Sequence, residues 1–391
     1  MPGINPEVLV WARETAGLSR ERAAKALAIG GGKISGSETL RRYEDGEKET
    51  SRTLIVKMAK VYRRPLLVFY LPHPPTQAER GEDFRTLPEE LRIESKGALD
   101  ALVRDIYVRQ DLVRNVLQDV EEDFPRDYVG SVKVDLEPAS VSDYLGKLIG
   151  FDINEFRRYG KSEEAFSYLR KLIEEMGTFV LLIGNLGSHH TNIPVEVFRG
   201  FALSDKIAPF IIINDQDAPS ARSFTLLHEF AHILIGVTGL SGGRAEQKVE
   251  RYCNDIASLL LLPAVDLNSQ SWHAENVEIL AQKVAGFAKS INVSGSLVAY
   301  RLLRSGVIQQ DTWNILSQKF RELWAAQKAA AKEGRDDSSG PSYYVVRRHK
   351  LGGAIVNLVQ RTMREGALTA TKAGRVLGVK PANVYNLVGT L

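Results

Sequence analysis

Sulfur and long apolar runs are what this 391-residue chain has least of. Cys253 is its single cysteine, so no disulfide can close within it and a reducing, cytoplasmic setting is expected. A zinc finger built on several thiolates is excluded for the same reason; any thiolate ligand would have to be Cys253 itself. No uncharged apolar stretch approaches the roughly 20 residues that a membrane-spanning helix requires. Met1-Pro2-Gly3-Ile4-Asn5 has neither the basic region nor the apolar region of a secretory signal. With 44% hydrophobic and 25% charged residues, the chain has the composition of an ordinary globular protein, long enough for two or three domains.

The net charge of +3 is unevenly spread. Residues 1–70 hold 13 Lys/Arg against 8 Asp/Glu, and residues 346–391 hold 8 Lys/Arg against Glu365 alone. The middle of the chain is therefore acidic. Two basic ends around an acidic centre place any nucleic-acid contact at the ends.

The centre carries His228-Glu229-Phe230-Ala231-His232, an H-E-x-x-H pattern. On a helix, residues i and i+4 share a face, so both imidazoles can reach one metal ion, and Glu229 projects beside it as a general base. The context is helical. The apolar run 209–214 reads as a buried strand, Ser223-Phe224-Thr225-Leu226-Leu227 leads into the motif, and Ile233-Leu234-Ile235 continues it to a stop near Gly236. Upstream, 141–149 and 162–176 read as helices, and 178–183 and 195–202 as strands. The run 178–183 is apolar throughout, as a strand covered on both faces would be. His189-His190 falls in the polar stretch between these strands and reads as a loop, one member of which can line a cleft.

A catalytic zinc takes three protein ligands and leaves one position open. A metzincin would need Gly and His where this chain has Ile235 and Thr238. The third ligand is then a Glu from the next helix, 245–262, where Glu246 and Glu250 stand one turn apart; Glu250 lies nearer the apolar stripe of Val249, Cys253, Ile256, Ala257 and Leu260. Arg222, Tyr252, His189 and His190 are candidates for contact with substrate or with a developing oxyanion.

These stretches are Gly200-Phe201-Ala202-Leu203, the run 209–214, Arg222 through His232, and Glu250-x-x-x-Asn254-x-x-Ala257-x-x-Leu260-Leu261-Leu262-Pro263. Together they resemble the ImmA/IrrE family of zinc metallopeptidases over about residues 140–305. The resemblance implies zinc held by His228, His232 and Glu250, with Glu229 as general base. It also implies a regulatory endopeptidase acting on a protein such as a helix-turn-helix repressor. Cys253 stands where that family usually has alanine and is not read as a ligand.

Residues 6–70 read as a series of short helices with Ser19 as an N-cap. Ala16-Gly17-Leu18-Ser19, Ala23-Ala24, Leu40 through Gly46, and Leu54, Met58, Ala59 and Tyr62 resemble the lambda-repressor-like (Xre-type) helix-turn-helix family. That resemblance puts a recognition helix near 35–43, with Lys33, Ser35, Ser37, Thr39, Arg41 and Arg42 as DNA-contact candidates. Gly30-Gly31-Gly32 departs from the family by lengthening the turn.

The expected organisation is α+β. A zincin-like metallopeptidase domain with a small sheet (140–310) is flanked by all-α, helix-turn-helix-like domains (1–70 and 346–391). A proline-rich link and helical connector (71–139, with a long helix over 98–120) and a helix with a low-complexity linker (311–345) join them. Three short helices are expected over 354–363, 369–377 and 382–387. The expected partners are one zinc ion per chain, a protein substrate and DNA at the basic ends, with no membrane; the oligomeric state, a dimer included, stays open. The competing reading is a DNA-binding regulator or antitoxin-like component whose zinc domain senses or braces.

Overall fold

The computed structural model describes residues 4–30, 34–75, 89–187, 191–238, 244–333 and 342–389, with backbone alone at 89–96, 244–246 and 331–333. It is mostly helical with one small mixed sheet, an α+β arrangement. The chain divides into two compact units: Met1–Tyr107 with Asn185–Phe198, and Val108–Gly184 with Arg199–Leu391.

The first unit contains α1 (Pro6–Glu14), α2 (Arg20–Leu27), α3 (Gly36–Glu44), α4 (Arg52–Val61) and a 3-10 turn, Leu66–Tyr70. Side chains of Asn5, Ser19, Ser35 and Ser51 cap these helices by accepting from backbone N–H groups in the first turn. Their apolar faces bury Leu9, Ala12, Ala24, Leu27, Leu40, Ile55, Met58 and Phe69 in one core. Glu44, fully buried, ties three helices by accepting from Arg13 Nε at 2.5 Å and Arg20 Nε at 2.8 Å. α5 (Glu89–Asp119) is longer than the expected 98–120 and starts nine residues earlier.

The second unit holds the sheet. α6 (Pro138–Ile149), α7 (Ile153–Arg158) and α8 (Ser162–Glu175) lead to β1 (Phe179–Leu182), β2 (Gly200–Leu203) and β3 (Phe210–Ile213). The strand order is β1-β3-β2, with β1 parallel and β2 antiparallel to β3. Every residue of β1 and β3 is buried, the all-apolar pattern of strands covered on both faces. Each fully buried Ile or Phe of β3 contributes about 1.5–3 kcal/mol of transfer free energy. β2 starts later than the expected 195–202. Val197 N–H bonds to Pro194 O at 3.0 Å in a turn, so regular pairing begins only at Gly200.

α9 (Pro219–Ile235) packs on the sheet, and α10 (Arg244–Leu261) packs on α9 and α6. Then come α11 (Ala264–Asn268), α12 (Val277–Ser290), α13 (Gly295–Arg304), α14 (Gln310–Glu333), α15 (Tyr343–Leu351), α16 (Gly353–Arg364), α17 (Ala370–Leu377) and α18 (Val384–Val388), the last preceded by a 3-10 turn, Pro381–Asn383. No helix among the described residues is long and apolar enough to cross a membrane.

Candidate metal centre

A rigid turn delivers the central helix. After β3, the Asn214 side chain accepts from Gln216 N–H at 3.0 Å, and Asp217 accepts from Ala218 N–H at 2.8 Å. Arg199 adds a two-oxygen salt bridge to Asp217 at 3.0 and 3.2 Å. Pro219 occupies the first turn of α9, where its missing N–H costs nothing. Gly236 closes the helix in the left-handed region at φ 81°.

One face of α9 carries His228 and His232, whose Nε2 atoms stand 3.2 Å apart. Glu250 comes from α10: its Oε2 lies 3.1 Å from His228 Nε2 and its Oε1 3.1 Å from His232 Nε2. Among the described residues, these three form the converging group of His, Cys, Asp or Glu side chains. Donors bound at about 2.0–2.2 Å to a tetrahedral zinc stand roughly 3.3–3.6 Å apart, so the donor set fits one such ion with little adjustment. The His232 side chain is 3% exposed and that of His228 12%, but that of Glu250 is 40% exposed. The cluster is thus enclosed on the helix side and open on the carboxylate side, where a fourth ligand would enter.

The electrostatics follow from that enclosure. Burial penalises a charged His232, but Cys253 and Glu250 outweigh it and its pKa is pushed up to about 11. Burial raises the Glu250 carboxyl, and the two imidazoles more than reverse this, holding it below its ordinary value. His232 and Glu250 share a proton, and a cation bound between them takes its place. The Cys253 thiol, buried against His232, is pushed up by desolvation.

Glu229 is buried, and desolvation raises its pKa. Its Oε2 has no hydrogen-bond partner within the protein. The first residue of β2 covers it: a Cβ on Gly200 would fall 2.9 Å from Glu229 Oε1 and 2.7 Å from Thr225 Cγ2. Any side chain at position 200 would displace Thr225 or Glu229, a close approach that the sequence reading missed although Gly200 at the strand start signals it.

The other candidates that are described have partners of their own. Arg222 donates to the backbone oxygens of Asp215 at 2.9 Å and Asp217 at 3.1 Å, bracing the turn before α9. Tyr252 directs its hydroxyl to Lys133 O at 3.3 Å. His189, His190 and Lys33 lie outside the described residues, and the side chain of Glu246 is likewise undescribed. In α3, Ser35 caps the helix, Ser37 bonds Glu21, Thr39 bonds Ser35 O, and Arg41 and Arg42 face Glu38. A residue the sequence reading did not mark is Asp255, which accepts from Tyr300 Oη at 2.8 Å and from Arg304 at 2.8 and 2.6 Å, clamping α10 to α13.

Comparison with known proteins adds one assignment. No curated protein and no solved structure gives a match. Residues 186–303, the span that holds His228, Glu229, His232 and Glu250, match the model of a metallopeptidase family, the IrrE N-terminal-like domain (Peptidase_M78).

Proposed function

We propose that this protein is a regulatory zinc-dependent endopeptidase with a zincin-like catalytic domain. The observation that carries the reading is the convergence of three donors beside a buried carboxylate: His228, His232 and Glu250 hold the metal, and Glu229 handles the proton. Three protein ligands with an open side are the pattern of a catalytic rather than a structural zinc. When bound, zinc supplies Lewis-acid chemistry, polarising a carbonyl and acidifying water. Glu229 takes a proton from the attacking water and returns it to the leaving amine. Burial raises its pKa above the ordinary carboxylate value, which makes it the stronger base.

The sheet edge supplies a place for substrate. Among the described residues β2 is an edge strand, and Asn214 N–H bonds to Arg199 O at 2.8 Å. Antiparallel alternation then turns the backbone polar groups of Gly200 and Ala202 away from β3. An extended peptide pairing with that edge passes directly by Glu229. The substrate in this reading is a protein, a helix-turn-helix repressor among the candidates, and the Xre-like helices of residues 1–70 act in selecting it or its site.

The test is a survey of new protein N-termini after adding the zinc-loaded protein to an extract of its source cells. The wild type is expected to create a small set of new termini that Glu229→Gln does not. No new termini, or the same set from Glu229→Gln, would overturn the proposal.

A further inference from the structure

Helix α3 and the corner that starts at α17 use their cations differently. In α3, Arg41 bonds Glu38 at 2.9 Å and also faces Asp45 and Glu47, while Arg42 lies 3.5 Å from Glu38. That surface is neutralised by its own acids. Residues 346–391 contain one acid, Glu365. Lys372, Arg375 and Lys380 are exposed there and make no ion pair among the described residues.

Those three cations border a tight two-helix corner. Thr369 caps α17, and Gly378 ends it in the left-handed region at φ 63°. The chain then folds back so closely that a Cβ on Gly374 would fall 2.8 Å from Val379 O and 3.2 Å from Pro381 N. Val376, Leu377, Val384, Leu387 and Val388 are buried inside the corner. Its outer face presents Ala382, Tyr385 and Asn386, with Tyr385 50% exposed. The Tyr344 hydroxyl from α15 accepts from Asn386 Nδ2 at 2.9 Å and steadies that face. A small residue facing a left-handed turn, an outward polar and aromatic helix face, and unneutralised flanking cations are the chemistry that a base-pair groove and its phosphates call for.

We propose that this C-terminal corner, rather than α3, is the protein's duplex DNA-binding surface. Lys372, Arg375 and Lys380 contact phosphates, and Tyr385 and Asn386 enter the major groove. The inference stands apart from the peptidase reading, since neither the metal donors nor Glu229 contribute to it.

The experiment is fluorescence anisotropy of the full-length protein with a labelled mixed-sequence duplex, from about 50 to about 200 mM salt. Lys372→Ala/Arg375→Ala/Lys380→Ala is expected to weaken binding at least roughly tenfold and to flatten the salt slope by about 2–3, the share of three phosphates. Arg41→Ala/Arg42→Ala is expected to bind within about twofold of wild type, because those cations are already paired. Tyr385→Ala, at an exposed position that leaves the core intact, is expected to weaken binding with the salt slope unchanged. The proposal is overturned if the wild type does not bind the duplex at the lowest salt. It is equally overturned if the triple variant binds as the wild type does, or if single-stranded RNA or polyglutamate binds more tightly than the duplex.

Discussion

The Glu250 carboxylate reaches Nε2 of His232 at 3.1 Å, and its second oxygen reaches His228 at the same distance. A single side chain from α10 thus fixes the spacing of two imidazoles on α9. In the metal-free protein this arrangement is a proton-sharing pair. The His232 pKa rises from 6.5 to about 11, so its contribution to stability is full below pH 6.5 and is lost as pH rises through the folded value. Glu250 is shifted down from 4.5, so its contribution is full above pH 4.5 and is lost on acidification. The Tm gap between metal-free wild type and metal-free Glu250→Gln is therefore expected to be widest from pH 4.5 to 6.5 and to narrow on both sides.

The same pair makes zinc binding a proton-releasing event. At pH 7 the metal-free His232 carries a proton that a metal ligand cannot keep. Titration calorimetry in buffers of differing ionisation enthalpy is expected to show release of about one proton per zinc. Binding with no proton release would contradict the pairing.

Gly200→Ala places a methyl group 2.9 Å from Glu229 Oε1 and 2.7 Å from Thr225 Cγ2. Overpacking of this kind costs about 1–3 kcal/mol. The displaced group is the proposed base, so proteolysis is expected to fall by more than about tenfold, beyond the modest loss of stability. Zinc affinity should change little. Paired measurements of urea midpoint and zinc affinity, alongside cleavage, separate the two effects.

Asp255 holds α10 to α13 through Tyr300 and Arg304. Asp255→Ala is expected to lower stability by about 2 kcal/mol, less than for a fully buried pair because the Arg304 side chain is 40% exposed. A denaturant midpoint equal to wild type would show that the clamp carries no load.

Much of this is legible in the residues, and what is not has specific causes. His228, Glu229 and His232 follow from helical spacing, and Glu250 from the apolar stripe beside it. The end of α9 follows from Gly236, whereas its start at Pro219 lies upstream of the Ser223 stretch read as leading into it. The later start of β2 does not, because the Pro194–Val197 turn competes with strand propensity in an apolar run. The helices α7, α11 and α15 are short and lack a long apolar period. Their starts rest on single capping or N-terminal residues, Asp152, Pro263 and Ser342, which are easy to pass over. Arg222 reads as a candidate contact to substrate or oxyanion, and its hydrogen bonds to two backbone carbonyls could not be foreseen. Long-range bonds of that kind, like the Asp255 clamp, have no local signature.

Buried Arg170 is another such tie. It donates to His349 O at 2.6 Å, to Lys350 O at 3.2 Å and to Val180 O, while Glu174 accepts from Gly353 and Ala354 N–H at 3.0 and 3.3 Å. These bonds attach the end of α15 and the start of α16 to α8 and β1. Arg170→Met leaves Glu174 as an uncompensated buried acid. Backbone amides of α16 are expected to exchange faster with deuterium while those of α9 are unchanged.

Zinc content per chain, measured after dialysis against a weak chelator, tests the central claim most directly. Wild type and Glu229→Gln are each expected to retain one zinc, because Glu229 is assigned to proton transfer and not to ligation. His232→Ala and Glu250→Ala are expected to lose it, with affinity reduced by at least about 100-fold. Full zinc retention in His232→Ala and Glu250→Ala, or its loss in Glu229→Gln, would contradict the assignment.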